Sequence, residues 1–137
     1  GLGDVYKRQP CNITANKMMM EELVYNLLSN AIRYNREGGS ATVRVNKILD
    51  RVNLEVLDTG IGISKENQKR IFERFYRVDK SRSKSTGGTG LGLAIVKHIL
   101  IKHNAQLELE STEGKGTHIT VIFQPSQKKG LINNKIR

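Results

Sequence analysis

Two asparagines one helical turn apart are the first residues in this sequence whose type and spacing suggest chemistry. Asn26 and Asn30 fall on the polar face of a helix that hydrophobic periodicity predicts over residues 17–34, and Arg33 follows by nearly one turn. Asparagine inside a helix costs about half a kcal/mol relative to alanine, so the pair suggests a purpose. A carboxamide oxygen can ligate Mg²⁺, and an arginine can meet a phosphate. A solvated polar face is the competing interpretation.

A carboxylate and two glycines form a second candidate site. Asp58 ends an alternating apolar strand, where a carboxylate is costly unless a donor faces it. An exocyclic amino group, such as that of adenine, would supply that donor. In the string TGIGI that follows, Gly60 and Gly62 would let the backbone approach a flat ring. An ordinary glycine-rich turn is the alternative.

A second glycine loop, GTGLG over 88–92, opens a predicted helix that runs from about Gly90 to His103. Backbone N–H groups at a helix N-terminus bind anions, and glycines allow phosphate oxygens to reach them. No parallel β-α-β unit surrounds the loop, which excludes a dinucleotide-binding fold. The G-K-[ST] ending of a P-loop is also missing.

The elements that must position these residues follow from periodicity and capping signals. Asn16 and Ser64 are the predicted N-caps of the first two helices. Helical spacing predicts helices over 17–34, 65–75 and 90–103, and alternation at period two predicts hairpins from 41–48 with 52–58 and from 106–111 with 117–123. Two hairpins without strict β-α-β alternation predict an α+β fold, with a sheet packed under helices.

Composition excludes several classes of protein. The 137 residues carry a formal net charge of +10, but aromatic residues make up only 5% and tryptophan is absent, so we expect no nucleic-acid partner. The single Cys11 excludes a disulfide-stapled chain and makes the cytoplasm the default location. We expect a leader over 1–9, one domain over 10–127 and a basic disordered tail over 128–137. Residues 65–84 hold eight basic against three acidic residues, a local field suited to phosphates.

Together, five motifs resemble those of the catalytic and ATP-binding domain of sensor histidine kinases, within the ATPase superfamily that includes gyrase B and MutL. They are an N box (26–34), a first glycine box (58–63), an F box (71–77), a second glycine box (88–97) and a closing EGKGT string (113–117). The resemblance implies the Bergerat ATP-binding fold, a two-layer α/β sandwich whose mixed sheet is covered on one face by about three helices. It also implies a flexible ATP lid over about 77–89.

The resemblance implies a role for each matching residue. Asn30 would be the Mg²⁺ ligand, with Asn26 and Arg33 beside the phosphates. Asp58 would accept from the adenine amino group, and Thr117 would assist through water. The remaining nucleotide-binding residues would be Tyr34 along the nucleotide, Gly60, Gly62 and Ile63 at the base, Arg77 near the terminal phosphate, Thr89 in the lid, and Gly90, Leu91 and Gly92 as backbone donors.

Asn26 discriminates between activities within the superfamily. The ATPases and serine kinases that the chain resembles carry a glutamate at this position as general base, and an amide cannot take a proton. The resemblance therefore implies transfer of the γ-phosphoryl group of ATP to a histidine. An autonomous ATPase or serine kinase is the alternative, and a nucleic-acid-binding module is a third class.

The phosphoacceptor is not evident in this sequence. None of His98, His103 and His118 lies in an acceptor context such as H-E-[LIF]-[RK]-[TN]-P. The implied partners are therefore a separate histidine-containing dimerisation domain and, indirectly, a response regulator. We expect the fragment to be unable to autophosphorylate alone. We also expect it to lie in the cytoplasm without membrane contact, as part of a membrane-anchored parent kinase.

Overall fold

Three helices and four strands position the candidate residues, counted over 13–71 and 93–124, the residues that the computed structural model of the chain describes. In chain order they are α1 (Lys17–Arg33), β1 (Ala41–Ile48), β2 (Arg51–Asp58), α2 (Lys65–Gln68), α3 (Leu93–Lys102), β3 (Gln106–Thr112) and β4 (Gly116–Phe123). The prediction of an α+β fold with two hairpins is confirmed.

Both predicted N-caps are present. The side chain of Asn16 accepts a hydrogen bond from the backbone N–H of Met19 at 2.9 Å, and Ser64 accepts from Asn67 at 3.3 Å. Each bond satisfies one of the N–H groups that a helix leaves unpaired in its first turn. The helix starts could be read from sequence because a cap is a local interaction.

Two helices differ from the prediction at their C-terminal ends, and part of one predicted helix lies outside the described residues. Helix α2 covers only Lys65–Gln68, and a turn follows through Ile71; the predicted continuation over 72–75 lies outside the described residues. Helix α3 ends at Lys102, just before Asn104 adopts a left-handed conformation with φ of 53°. Asparagine is among the few residues that adopt this conformation readily, and it stops the helix there.

The sheet has the strand order β1-β2-β4-β3, and every pairing among the described strands is antiparallel. This differs from the mixed sheet that we expected. Each hairpin reverses through a short turn, and the two hairpins join through β2 and β4, which also run in opposite directions. That junction places Asp58 directly opposite Thr117, although 59 positions separate them in the chain.

One face of the sheet packs against the helices. Val52, Leu54 and Val56 of β2 are buried on that face, and α1 contributes Leu23 and Leu27. Fully burying such a side chain stabilises the fold by about 1.5–3 kcal/mol. The remaining residues of the buried core are Ala31, Tyr34, Ile71, Leu93, Val96, Ile99, Leu100, Ile119, Val121 and Phe123. In the part of the chain that the structure describes, no helix has the length and apolarity needed to cross a membrane.

A histidine ties the end of α3 to the start of α1. The Nε2 atom of His103 accepts from the backbone N–H of Asn16 at 3.1 Å, and its Nδ1 atom lies 2.9 Å from the carbonyl oxygen of Ile99. The imidazole therefore links two helices through residues that are 87 positions apart in the chain, Asn16 and His103. This contact helps to fix the orientation of α1, the helix that carries Asn26 and Asn30.

The opposite face of the sheet carries a shielded carboxylate, Glu55, whose side chain is only 14% exposed. Burial alone would raise the pKa of Glu55. Hydrogen bonds from Asn46 at 2.7 Å and His118 at 2.8 Å, together with the charge of Arg44, outweigh burial and lower that pKa below its ordinary value of 4.5. The fold therefore favours the ionised form of Glu55.

We expect Glu55→Gln to reduce the dependence of stability on acidic pH. A lowered pKa means that ionised Glu55 stabilises the fold fully above pH 4.5, and that this contribution is lost as the pH falls through the lowered value. Urea unfolding between pH 6 and pH 3, at about half-unit steps, should show a shallower fall in the unfolding free energy for the variant. Glu108→Gln, an exposed position on the same sheet, should keep the slope of the unmodified protein; equal slopes in all three proteins would contradict the prediction.

Candidate nucleotide site

A cavity of about 500 Å³, including its open mouth, lies between the helices and the ends of β2 and β4 where Asp58 meets Thr117. Its lining is mainly apolar with a few polar groups, as a flat heterocyclic ring requires. The lining residues are Leu27, Asn30, Ala31, Tyr34, Val56, Asp58, Ile61, Gly62, Ile63, Leu93, Thr117 and Ile119.

Asp58 supplies the carboxylate of this cavity. Its Oδ1 atom accepts from the backbone N–H of Gly60 at 2.8 Å. Burial raises the pKa of Asp58 above its ordinary value, although hydrogen bonds from the N–H groups of Gly60 and Thr117 act in the opposite direction. A desolvated carboxylate at an apolar cavity can accept strongly from a ligand N–H group.

The glycines after Asp58 are required for a reason that the sequence did not reveal. A Cβ on Gly60 would overlap the carbonyl oxygen of Tyr34, and a Cβ on Gly62 would overlap that of Thr112. Gly62 also has a φ of +71°, in the left-handed region that favours glycine. The sequence predicts that both glycines allow close approach of a ligand ring, and Gly62 lines the cavity. The atoms nearest to their missing side chains are backbone atoms of this chain, so the fold itself requires both glycines.

Thr117, which lines the cavity, is paired with a second hydroxyl group, that of Ser111. Ser111 Oγ accepts from the backbone N–H of Ile63 at 2.8 Å, and it lies 2.8 Å from the hydroxyl oxygen of Thr117. Ser111 also donates to the carbonyl oxygen of Gly116 at 3.0 Å. We did not predict Ser111 as a site residue. The available signal was its position: the alternation of β3 places it on the helix-facing side, where Leu107 and Leu109 also lie.

We expect Ser111→Ala to destabilise the protein by about 1–2 kcal/mol, because the partly buried N–H of Ile63 loses its acceptor. Chemical denaturation should measure this loss. Ser40→Ala, at an exposed serine, should change the unfolding free energy by less than about 0.5 kcal/mol. A Ser111→Ala variant as stable as the Ser40→Ala variant would contradict this assignment.

Helix α1 and its C-cap bring Asn30 and Tyr34 to the cavity, one turn apart, together with Leu27 and Ala31. Asn26 is placed differently: it is half-buried, its Nδ2 atom donates to the carbonyl oxygen of Glu22 at 2.7 Å, and it is not part of the cavity lining. Arg33 ends the helix and is likewise outside the lining. The structure therefore brings together six predicted residues at one cavity: Asn30, Tyr34, Asp58, Gly62, Ile63 and Thr117.

The donors at this cavity fit a magnesium ion that is held chiefly by a nucleotide. Over 13–71 and 93–124, no three His, Cys, Asp or Glu side chains are grouped in a way that could hold a metal. Magnesium keeps several waters and takes few protein ligands when phosphates complete its shell. The carboxamide oxygen of Asn30 is suited to be one of these few protein ligands. The predicted phosphate-side residues that lie outside the described residues are Arg77, Thr89, Gly90, Leu91 and Gly92.

Comparison with known sequences identifies a matching family and relatives. A family described as histidine kinase-, DNA gyrase B- and HSP90-like ATPases matches residues 15–127. The chain is 50% identical over 102 residues to the phosphate regulon sensor protein PhoR of Pseudomonas aeruginosa, covering 74% of this chain and 23% of that protein. It is 46% identical over 101 residues to the sensor histidine kinase WalK of Bacillus subtilis, covering 72% and 16%. The chain thus spans less than a quarter of these two relatives.

Solved structures agree with this result. The mycobacterial sensor histidine kinase MprB superposes with a TM-score of 0.71 at 31% identity, covering 82% of this chain and 76% of that one. The nucleotide-free catalytic domain of histidine kinase ThkA superposes with a TM-score of 0.72 at 24% identity, covering 86% and 75%. The second similarity bears on the fold alone. Both structures support the same two-layer arrangement of helices on a sheet.

Proposed function

This chain belongs to the family of histidine kinase-, DNA gyrase B- and HSP90-like ATPases, and from that premise we propose that it binds Mg-ATP and donates the γ-phosphoryl group to a histidine on a separate dimerisation domain. The observation that carries the proposal is the cavity that joins Asp58 to Asn30. An acceptor for an amino group stands at one part of this cavity, and a ligand suited to a hard cation stands at another. A purine nucleotide with bound magnesium presents these two chemistries together.

The base is proposed to bind where Asp58 and Thr117 meet. The carboxylate accepts from the exocyclic amino group of adenine, and the hydroxyl of Thr117 contributes through water. Ser111 lies 2.8 Å from that hydroxyl, which orients it. The apolar lining excludes water and strengthens these hydrogen bonds. Guanine would instead place an oxygen acceptor against the carboxylate, so we expect adenine to be preferred.

The phosphates are proposed to extend toward α1 and the second glycine box. Asn30 holds the magnesium ion, Asn26 and Arg33 contact phosphate oxygens, and Tyr34 lies along the nucleotide. Arg77 and the residues from Thr89 to Gly92 supply further donors. When bound, Mg²⁺ neutralises charge on the phosphates and aligns them for transfer.

The acceptor is proposed to be an imidazole rather than water. Asn26 has no proton-accepting carboxylate, whereas a histidine is already partly neutral and nucleophilic near pH 7. Two histidines of this chain are engaged elsewhere, because His103 bridges α3 and α1 and His118 donates to Glu55. This supports an acceptor on another domain, with a response regulator receiving the phosphoryl group afterwards. We propose a cytoplasmic location for the fragment, within a membrane-anchored parent kinase.

The test is reconstitution from separate parts. The chain is mixed with Mg²⁺, γ-labelled ATP and a separately produced dimerisation domain of the parent kinase. We expect acid-labile, alkali-stable label on the histidine of that domain and none on the chain incubated alone. Omitting Mg²⁺ should abolish the labelling. Steady ATP turnover by the isolated chain without transfer would contradict the proposal and favour an autonomous ATPase.

A further inference from the structure

A residue outside all five motifs, Arg36, connects three separate backbone segments beside the cavity. Its Nε atom donates to the carbonyl oxygen of Thr59 at 2.6 Å. Its Nη2 atom donates to the carbonyl oxygen of Gly114 at 2.8 Å and, at 3.4 Å, to that of Gly60. One guanidinium thus joins the end of the N box to the first glycine box and to the turn between β3 and β4.

Backbone hydrogen bonds close the same arrangement from within. The N–H of Ile61 donates to the carbonyl oxygen of Tyr34 at 3.0 Å, and the carbonyl oxygen of Ile61 accepts from the N–H of Gly114 at 2.7 Å. The loop that contains Ile61 therefore lies between the two segments that Arg36 bridges. Shifting this loop would break both backbone bonds as well as the arginine contacts.

The residues held by this arrangement are the ones that shape the base end of the cavity. Asp58 precedes Thr59 directly, Gly62 and Ile63 follow Ile61, and all three of these flanking residues line the cavity. Small displacements of a binding group cost affinity, because hydrogen bonds weaken steeply with distance and angle. Arg36 contacts Thr59 and Gly60, the two residues that directly follow Asp58, so it is placed to restrain the Asp58 carboxylate.

The shape of the arginine side chain suits this task. A planar guanidinium donates along several fixed directions at once, whereas an ammonium group is a single point of charge. The described contacts of the Arg36 guanidinium are to carbonyl oxygens of Thr59, Gly60 and Gly114. Its charge is therefore used to orient backbone groups.

We propose that Arg36 is a positioning residue for the base end of the nucleotide site, setting affinity for adenine nucleotides through the loop that carries Asp58. This inference rests on the proposed function. It predicts an effect on the adenine contact that does not depend on how many phosphates the ligand carries. If the charge of Arg36 acted on the phosphates instead, its removal would weaken the binding of ADP more than the binding of AMP.

Calorimetric binding of ADP and AMP to Arg36→Ala tests the inference. We expect the Kd to rise by roughly five- to tenfold, and by the same factor for both nucleotides. Arg36→Lys keeps the charge and should recover only part of the loss, since one ammonium cannot reach all the carbonyl groups. Arg51 is an exposed arginine at the other end of β2, about 20 Å from Asp58. The Arg51→Ala variant should therefore bind both nucleotides as tightly as the unmodified protein does.

The outcomes separate this inference from the proposed function. If the unmodified chain binds neither nucleotide, the proposed function fails and this inference fails with it. If the unmodified chain binds ADP and Arg36→Ala binds it equally well, only the inference is overturned. Full recovery in Arg36→Lys, or a larger loss for ADP than for AMP, would also overturn it, because either result assigns the effect to charge. Thermal unfolding of each variant establishes that the measured protein is folded.

Discussion

Replacing Asp58 with asparagine is expected to weaken ATP and ADP binding by roughly 10- to 100-fold, which corresponds to loss of one strong hydrogen bond to a charged acceptor. The carboxylate lies in a mainly apolar cavity, and its Oδ1 atom already accepts from the N–H of Gly60. An asparagine can preserve that backbone contact. It cannot offer the ligand a charged acceptor, so the loss should appear in binding rather than in folding.

The same substitution should leave stability unchanged or raise it. Because burial raises the pKa of Asp58, the fold favours the protonated carboxyl, and ionisation costs stability as the pH rises above the ordinary value of 3.8. The cost grows until the pH has passed the raised pKa of the folded protein. Asparagine has no such ionisation, so thermal unfolding at pH 7 should show an equal or higher midpoint for Asp58→Asn.

Asp50→Asn is the matched control, since Asp50 is exposed in the turn between β1 and β2. It should bind ATP and ADP as tightly as the unmodified protein. Calorimetry on the three proteins, with unfolding curves recorded in parallel, measures both effects. Normal nucleotide binding by the Asp58→Asn variant would show that the Asp58 carboxylate does not contribute to the binding site. A variant that loses binding only because it unfolds would contradict the stability argument.

Replacing Gly62 with alanine is expected to destabilise the protein by at least about 3 kcal/mol, because conformational strain adds to a steric clash. Gly62 has a φ of +71°, and an added Cβ would overlap the carbonyl oxygen of Thr112. The contacted atom belongs to the backbone of β3 and cannot rotate away. Relief would require moving the loop that holds Ile61 and Ile63 against the cavity.

Gly38→Ala separates the two causes. Gly38 has a similar φ of +81°, but a Cβ there would meet no atom within 4 Å. This variant should lose only the conformational part, about 1 kcal/mol. Urea unfolding of both variants gives the comparison. Equal losses would show that backbone strain alone accounts for the requirement at Gly62, and that the contact with Thr112 contributes nothing.

The sequence by itself determined the elements and several residues of the cavity. Periodicity depends on neighbours within one helix or strand, so α1 and the two hairpins were predicted within one or two residues. Asp58 stood out because a carboxylate at the end of an apolar strand needs a donor. Asn30 stood out because asparagine is disfavoured inside a helix. The motifs could then place both residues in one family.

Only the tertiary structure decided which backbone segments meet around the cavity. Arg36 and Ser111 are ordinary residues in the sequence, and they matter because chain reversals bring carbonyl and N–H groups of distant segments within 3 Å of their side chains. Gly62 is required for the same reason, because a Cβ at this position would overlap the carbonyl oxygen of Thr112, fifty positions away in the chain. Such contacts depend on how the two hairpins join. Local propensity and periodicity carry no information about that junction, because it is set by the packing of the whole sheet against the helices.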